Sequence, residues 1–285
     1  MAPLTTRPAR TYASSTRRLR VVGTLGSALA LAILGASMLL RLTAIFGTDG
    51  KVISTLPAVL ENATRMLHRL AASGVGFLAV YAVILCWSHR PLPSHVFKAI
   101  AGMVAITVIL ALIGPLTPGY RVAAITIANV AGGVVLLMAF WWLRETVASD
   151  SAARQPIDPL LRATIFVFLA HVVTGAAASA YEMYGVRWFT FLHLGTALLS
   201  TMFIGATLWD RRSEPLLASC AAVTTMLITA QLAIGLTLVS LGARPIWLAY
   251  LHGMLSPMLA IALISMVTRD SVIQQCTRSG GNNDA

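Results

Sequence analysis

Long apolar runs recur eight times along the chain, and short polar stretches separate them. A helix of about 20 apolar residues is long enough to cross the hydrocarbon core of a bilayer. Each run therefore predicts one membrane-spanning helix, and the short connections predict that successive helices are antiparallel neighbours. The predicted spans cover residues 20–46, 62–88, 95–116, 121–143, 160–181, 188–209, 216–240 and 246–267.

The polar stretches predict how the chain is divided. Residues 145–159 form the longest connection on the predicted inner side and separate two halves of four spans, 20–144 and 160–268. The basic stretch 1–19 is expected to be a disordered cytoplasmic tail, and 269–285 a second cytoplasmic tail. The first apolar run is long enough to span, and no clear small-residue cleavage site follows it, so it is interpreted as a retained helix rather than a signal peptide.

The two halves share a pattern that indicates an internal repeat. The fourth span, GYRVAAITIANVAGGVVLLM, resembles the eighth, GARPIWLAYLHGMLSPMLAI, and ten positions separate the first glycine from Asn129 in one and from His252 in the other. His68 and His193 occupy the same position in the second span of each half. Each unit has an even number of spans, so both insert in the same orientation. The predicted fold class is an all-α polytopic membrane protein of two parallel-repeat four-helix bundles.

Composition and charge agree with a membrane protein. The chain is 57% hydrophobic and only 11% charged, which is too apolar for a soluble domain of 285 residues. A net charge of +11 would suit a nucleic-acid-binding protein, but the basic residues are concentrated on one side of the predicted membrane. With the N-terminus inside, 14 Lys and Arg fall in inner segments and 5 in outer ones, while Arg65 and Arg69 begin the second span. This is the positive-inside rule, which predicts that both termini are cytoplasmic and that the basic residues contact lipid rather than nucleic acid. A bacterial-type inner (plasma) membrane is the expected location.

The three cysteines form no metal or haem-attachment motif. Cys86, Cys220 and Cys276 fall in or near the predicted inner half and make no CxxC or CxxCH pattern. This argues against covalent haem attachment, a zinc site and a periplasmic disulfide. They are expected to be small buried hydrophobes.

Two histidines of the second half are candidates for haem ligands. His193 and His252 lie near the outer ends of the second and fourth spans of this half, so they are expected at one depth. Two neutral imidazoles that face each other in a four-helix core form the axial pair of a b-type haem. Two structural histidines are the alternative. Arg187 and Arg244 lie at the outer rim, where haem propionates need cations.

A third histidine, His171, lies near the middle of the fifth span in FLAHVVTGAAASAYE. A span so rich in small residues packs closely. His171 is expected to be structural, with a hydrogen bond to a neighbouring carbonyl. Contact with a haem propionate and a role in proton relay are the alternatives.

The second span opens with a cluster of ionisable residues, Glu61, Arg65, His68 and Arg69. An interfacial anchor is one interpretation. His68 lies deeper than an anchor needs, which favours a site that faces the bundle interior. Glu61 and His68 are seven positions apart, so they share a helix face about 10 Å apart along the axis, with Arg65 between them. The preceding outer segment, Gly47–Leu60, is expected to be a plain linker, and a lid over the outer face is the alternative.

Several of these features together resemble the heme A synthase family. They are the segment GLTLVSLGARP followed by Leu251-His252, the pair His68-Arg69 after an acidic residue, the stretch HVVTGAA and the two four-helix halves. The resemblance runs from the first span to the last and is best in the second half. It implies an eight-helix enzyme of the respiratory membrane that oxidises the C8 methyl of heme O to the formyl of heme A. It also implies a heme b on His193 and His252, and partners such as heme O synthase or haem-copper oxidase subunits.

The first half departs from the pattern of this family. The resemblance implies that His68 binds the substrate haem, with Arg69 beside it, but Asn129 stands where the family has a second histidine in the fourth span. Asparagine in a span more often makes an interhelical hydrogen bond. The family's glutamate three residues before the first histidine is replaced by Arg65, and the nearest acid is Glu61, which is then a displaced catalytic candidate.

Three functions therefore remain open from the sequence. The first is an enzyme of the heme A synthase type. The second is a non-catalytic heme b-binding subunit or an assembly component of a respiratory complex. The third is a transporter, because parallel repeats also occur there, although the sequence shows neither a broken helix nor an intramembrane acid that would support it.

Overall fold

Eight long helices make up most of the computed structural model. The structure describes residues 7–46, 52–88, 94–116, 122–148, 157–182, 186–241 and 245–281. The helices are α1 (Arg7–Leu42), α2 (Ala58–Ser88), α3 (Ser94–Ile113), α4 (Ala123–Ala148), α5 (Pro159–Glu182), α6 (Trp188–Asp210), α7 (Ala218–Ser240) and α8 (Ile246–Gly281). All eight are long and apolar enough to cross a membrane. The prediction of an all-helical membrane protein with eight spans is confirmed.

A short hairpin lies between α1 and α2. Strand β1 (Ala44–Phe46) pairs antiparallel with β2 (Val52–Ser54). Both the main-chain N–H and the hydroxyl of Thr55 donate to the Thr43 carbonyl and close its base. The sequence predicted a plain linker over Gly47–Leu60. The structure differs from this prediction because β-branched residues favour the pairing of strands here. Helix α2 also begins within the segment. Residues 47–51 lie outside the described part of the chain.

The first and last helices extend beyond the predicted spans. Helix α1 begins at Arg7, so residues 7–19 are helical where a disordered tail was predicted. Leu19 is 1% exposed and belongs to the buried core, so the last part of this segment packs on the bundle. Helix α8 continues to Gly281, through most of the predicted second tail. Once a span has formed, each added residue gains a hydrogen bond without a new nucleation cost, which explains both extensions.

The first half is a closed bundle. Helix α1 packs along α2 and α4, and α3 packs on α2 and α4. Glycines bring α1 and α4 together: Gly26 lies against the Phe140 ring, and a Cβ on Gly23 would lie 2.7 Å from the Cβ of Arg144. A Cβ on Gly133 would likewise lie 2.8 Å from Leu34 Cδ2. Small residues at such contacts allow helix backbones to approach closely in a membrane.

The second half is more open. Helix α5 packs along α6, and α7 packs along α8, but α5 and α8 touch at only a few positions. The two halves join where α4 meets α5 and α8, and where α1 meets α8. Met38 of α1 packs against Gly253 of α8 there. The packed pairs α1–α2 and α3–α4 of the first half correspond to α5–α6 and α7–α8 of the second. The close contact between α1 and α4 corresponds only to the weak contact between α5 and α8. The parallel repeat stays a prediction.

One end of the second half is held by an ion-pair cluster around the buried residues Arg211 and Asp270. The Nε of Arg211 donates to Asp270 Oδ1 at 2.8 Å, and its Nη2 lies 3.3 Å from Asp158 Oδ1. Arg211 also pairs with Asp210. Burial opposes the charge of Arg211, but the hydrogen bond and the charge of Asp270 outweigh it and raise the pKa of the guanidinium. Asp158 caps α5, accepting from the N–H groups of its second and third residues. The cluster ties α5, α6 and α8 together.

Two of the three cysteines agree with the sequence prediction. Cys86 and Cys220 are free thiols and are 6% and 8% exposed. Both therefore behave as small buried hydrophobes. The side chain of Cys276 lies outside the described residues.

Candidate functional site

Three histidines meet in the open second half. His193 of α6 and His252 of α8 have ring centroids 6.2 Å apart, and their ring planes are nearly perpendicular at 87°. The ring of His171, from α5, stacks on that of His193 with centroids 4.5 Å apart and planes 12° apart. The structure thus brings together the two predicted haem ligands, and it adds His171 to them.

A glycine on the neighbouring helix makes room for each of the two predicted ligand rings. A Cβ on Gly175 of α5 would lie 2.8 Å from Cε1 of His193. A Cβ on Gly235 of α7 would lie 3.1 Å from Cε1 of His252. Both positions are helical, so a side chain there would project into the space of the ring. The stretches HVVTG and GLT contribute to the site because they leave this space open.

A buried polar residue lies one turn before each of these glycines. His171 precedes Gly175 by four residues on α5, and Gln231 precedes Gly235 by four on α7. Gln231 is 5% exposed and donates from Nε2 to Ser256 Oγ at 3.1 Å. The sequence analysis did not identify Gln231 as a candidate. It could have been found as an amide side chain in an apolar span that, like His171, precedes a glycine by four residues.

The ring of His171 contacts the main chain of the neighbouring helix α6. A hydrogen bond from the ring to a neighbouring carbonyl was expected, and the ring makes one to the main chain of His193, although its Nδ1 has no hydrogen-bond partner among the described residues. Its own carbonyl accepts from Thr174 at 3.0 Å, and Thr174 Oγ1 lies 2.7 Å from Thr196 Oγ1. The His171 ring is therefore held by this hydrogen bond and by its stacking on His193.

The donor set fits a haem with two axial histidines. Two imidazoles that share one metal ion each place a nitrogen about 2 Å from it, so their ring centres lie roughly 6 Å apart, close to the 6.2 Å between His193 and His252. A ligating imidazole also needs an acceptor for its second N–H. The ring of His252 makes a hydrogen bond to the main chain of Gln231 on α7, and Gln231 Oε1 has no hydrogen-bond partner among the described residues, so α7 provides acceptors beside the ring. Within the described residues, no group of three or more His, Cys, Asp and Glu side chains could hold a metal ion by itself.

The rim of this site is aromatic. Phe189 of α6 stacks on Tyr181 of α5 with centroids 4.4 Å apart, and Trp188 lies against Phe189 at 4.2 Å. Arg187, predicted to contact propionates, is exposed immediately before α6. Arg244, the second predicted rim cation, lies outside the described residues.

The candidate residues of the first half are arranged differently. His68 is half-buried on α2, with its Nδ1 3.4 Å from the Ile33 carbonyl of α1. The Glu61 carboxylate accepts from Arg65 Nη2 at 2.6 Å, so the displaced acid is paired with the residue that replaces the family's glutamate. Arg69 is exposed, and Asn129 is half-buried on α4. Of the other histidines in the described spans, three lie in the second half, and His95 lies in the first turn of α3. Since His68 is near the start of α2 and consecutive spans are antiparallel, His95 is at the opposite end of the first half.

Comparison with known proteins adds no relative to this description. No protein-family model matches the chain, and no curated protein matches it either.

Proposed function

We propose that this chain is a membrane haem protein in which His193 and His252 bind a heme b in the second half. The observation that carries the proposal is the pair of imidazoles 6.2 Å apart, each accommodated by a glycine of the neighbouring helix. A haem bound at this position supplies reversible one-electron chemistry.

The chain's own residues would then hold and shield the group. Gly175 and Gly235 leave room for the two rings, and His171 supports the ring of His193 by stacking. Arg187 supplies a cation at the rim for a propionate.

A more specific proposal is activity of the heme A synthase type. In this form heme O would be the substrate of the first half, His68 would bind its iron beside Arg69, and Glu61 would be the nearest group able to transfer protons. The oxidant that accepts electrons from the C8 methyl would be supplied from outside the chain. The support is the resemblance of GLTLVSLGARP, HVVTGAA and the His68-Arg69 pair to that family. The implied partners are heme O synthase and the subunits of a haem-copper oxidase that receive heme A.

The second candidate is a non-catalytic heme b-binding subunit or assembly component of a respiratory complex. A specific observation favours it: the first half is closed by glycine contacts between α1 and α4. In addition, Arg65 holds the Glu61 carboxylate near the rim, where the two side chains are 48% and 23% exposed. Asn129 also offers iron only an amide, a weaker ligand than imidazole. On this geometry the non-catalytic function is better supported than the enzyme.

Haem extraction after co-expression with heme O synthase separates these candidates. Heme A or its hydroxylated precursor in the wild type, absent in His68→Ala, would support the enzyme. Heme b alone, at a yield unaffected by His68→Ala, would support the non-catalytic protein. Purified protein without haem would contradict both. His95→Ala, in the first turn of α3, serves as the matched histidine control.

We further propose a bacterial-type inner membrane location with both termini cytoplasmic. Eight crossings place the two ends on the same side, and the excess of Lys and Arg in the segments on that side supports the cytoplasm. Single cysteines placed in segments 47–60 and 145–159 of a cysteine-free variant test this. An impermeant reagent added outside is expected to label only the first; labelling of only the second would reverse the orientation.

A further inference from the structure

Three arginines lie on one exposed face near the start of α1. Arg17, Arg18 and Arg20 are exposed, whereas Leu19 and Val22 are each 1% exposed and pack in the core of the first half. A helix turns about 100° per residue, so Leu19 and Val22 point away from the middle of the arginine face. One side of α1 is therefore buried in the bundle, and the opposite side presents cations.

The three guanidinium groups have no hydrogen-bond or ion-pair partner within the described part of the chain. Other exposed arginines at this end of the molecule each donate to a protein oxygen; they are Arg162, Arg212 and Arg269. On the adjoining end of α4, the Glu145 carboxylate is paired with Arg144. Like charges three or four residues apart on a helix repel each other, so an anion bound between the three arginines would relieve this repulsion.

The same face becomes apolar at the next turn of the helix. Val21 and Leu25 are each 50% exposed. They follow Arg17 at intervals of four residues, so the three side chains form one row along the helix. The row covers about 12 Å, with its charge at one end and its exposed apolar surface at the other.

The length of α1 places this change from charged to apolar at the surface of the bilayer. The apolar part of the helix runs over Ser15–Leu42, which is 28 residues. Such a helix is about 42 Å long, and the hydrocarbon core of a bilayer is about 30 Å thick. The excess is enough to place the three arginines among the lipid phosphates while Val21 and Leu25 face the acyl chains.

We propose that this face of α1 binds an anionic phospholipid, with the headgroup on Arg17, Arg18 and Arg20 and an acyl chain along Val21 and Leu25. Guanidinium groups form bidentate hydrogen bonds with phosphate oxygens. A headgroup with net negative charge is preferred over a zwitterionic one, because the latter also brings a cation to the patch. The site is separate from the three histidines and needs no haem, so it goes beyond the proposed function.

Native mass spectrometry of the purified full chain in detergent tests the proposal, with dioleoylphosphatidylglycerol and dioleoylphosphatidylcholine as the lipid probes. The wild type is expected to bind the phosphatidylglycerol more tightly. The combined variant Arg17→Gln, Arg18→Gln and Arg20→Gln should weaken this binding on the order of tenfold or more, because each cation near an anionic lipid contributes a several-fold gain in affinity.

A charge-matched variant serves as the control. Arg162→Gln, Arg212→Gln and Arg269→Gln together remove the same charge from the same end of the molecule, but these guanidinium groups are already bonded to protein oxygens. This variant should keep the preference for phosphatidylglycerol. Three results would overturn the inference: no preference in the wild type, an unchanged preference in the α1 variant, or an equal loss in the control, which would show attraction to the overall charge alone.

Two measurements on the wild type decide the question even if the α1 variant does not fold. A phosphatidylglycerol with a photoreactive diazirine in its acyl chain should label residues 21–25 more strongly than the matching phosphatidylcholine, and equal labelling would contradict the site. Glycerophosphoglycerol, the same headgroup without acyl chains, should not displace the lipid. Displacement at comparable concentration would show a site for soluble anions instead. None of these signals depends on haem, so failure of the lipid site and failure of the proposed function are separate outcomes.

Discussion

Replacement of Gly175 by alanine is expected to displace the His193 ring. The added Cβ would lie 2.8 Å from Cε1, and ordinary contact begins near 3.4 Å, so the ring must retreat by about 0.6 Å. The same change at Gly235 would require about 0.3 Å at His252, where the distance is 3.1 Å. Ligand geometry must be held within roughly 0.5 Å of its productive position. Gly175→Ala should therefore lose most of the low-spin haem signal, whereas Gly235→Ala should keep most of it.

The chain provides a matched control for this change. A Cβ on Gly205 of α6 would meet nothing within 4 Å, so Gly205→Ala should leave the haem spectrum unchanged. Alanine is favoured over glycine in a helix interior by about 1 kcal/mol, so this control is not expected to lower stability.

The assay is haem occupancy and the reduced-minus-oxidised spectrum of each purified variant, together with its thermal unfolding midpoint. A normal midpoint with a lost or high-spin signal in Gly175→Ala would assign the effect to the imidazole. A Gly175→Ala spectrum identical to that of Gly205→Ala at full occupancy would refute the reasoning.

Two further predictions concern other parts of the fold. Arg211→Ala removes the guanidinium that pairs with the buried Asp270 carboxylate and should destabilise the protein by about 3 kcal/mol. A change of the unfolding midpoint no larger than that of the exposed Arg212→Ala would contradict this. Asn129→His should add a second low-spin haem signal that disappears in combination with His68→Ala, because imidazole binds iron better than an amide. An unchanged spectrum would show that the first half takes no haem.

The spans could be predicted from the sequence because about 20 apolar residues are needed to cross a bilayer whatever the neighbours are. The common depth of His193 and His252 followed from counting residues inward from the same predicted surface. These are properties of single helices, and periodicity and length are sufficient to give them.

The rest depends on contacts between helices, which single-helix patterns do not contain. The stacking of His171 on His193 could not be predicted from the sequence. Periodicity shows on which face of its helix a residue lies, but it does not show which other helix packs against that face. The closed first half depends on pairs such as Gly26 and Phe140, whose fit is decided by shape. The same is true of Gln231, which became a candidate only when Gly235 was found against His252.

The most direct test of the central claim is the reduced-minus-oxidised spectrum of the wild type beside His193→Ala and His252→Ala, with His95→Ala as the control. A low-spin heme b signal is expected in the wild type and the control, and its loss or conversion to a high-spin form is expected in both ligand variants. An unchanged low-spin signal at near full occupancy in both ligand variants would contradict the assignment of His193 and His252 as the haem ligands.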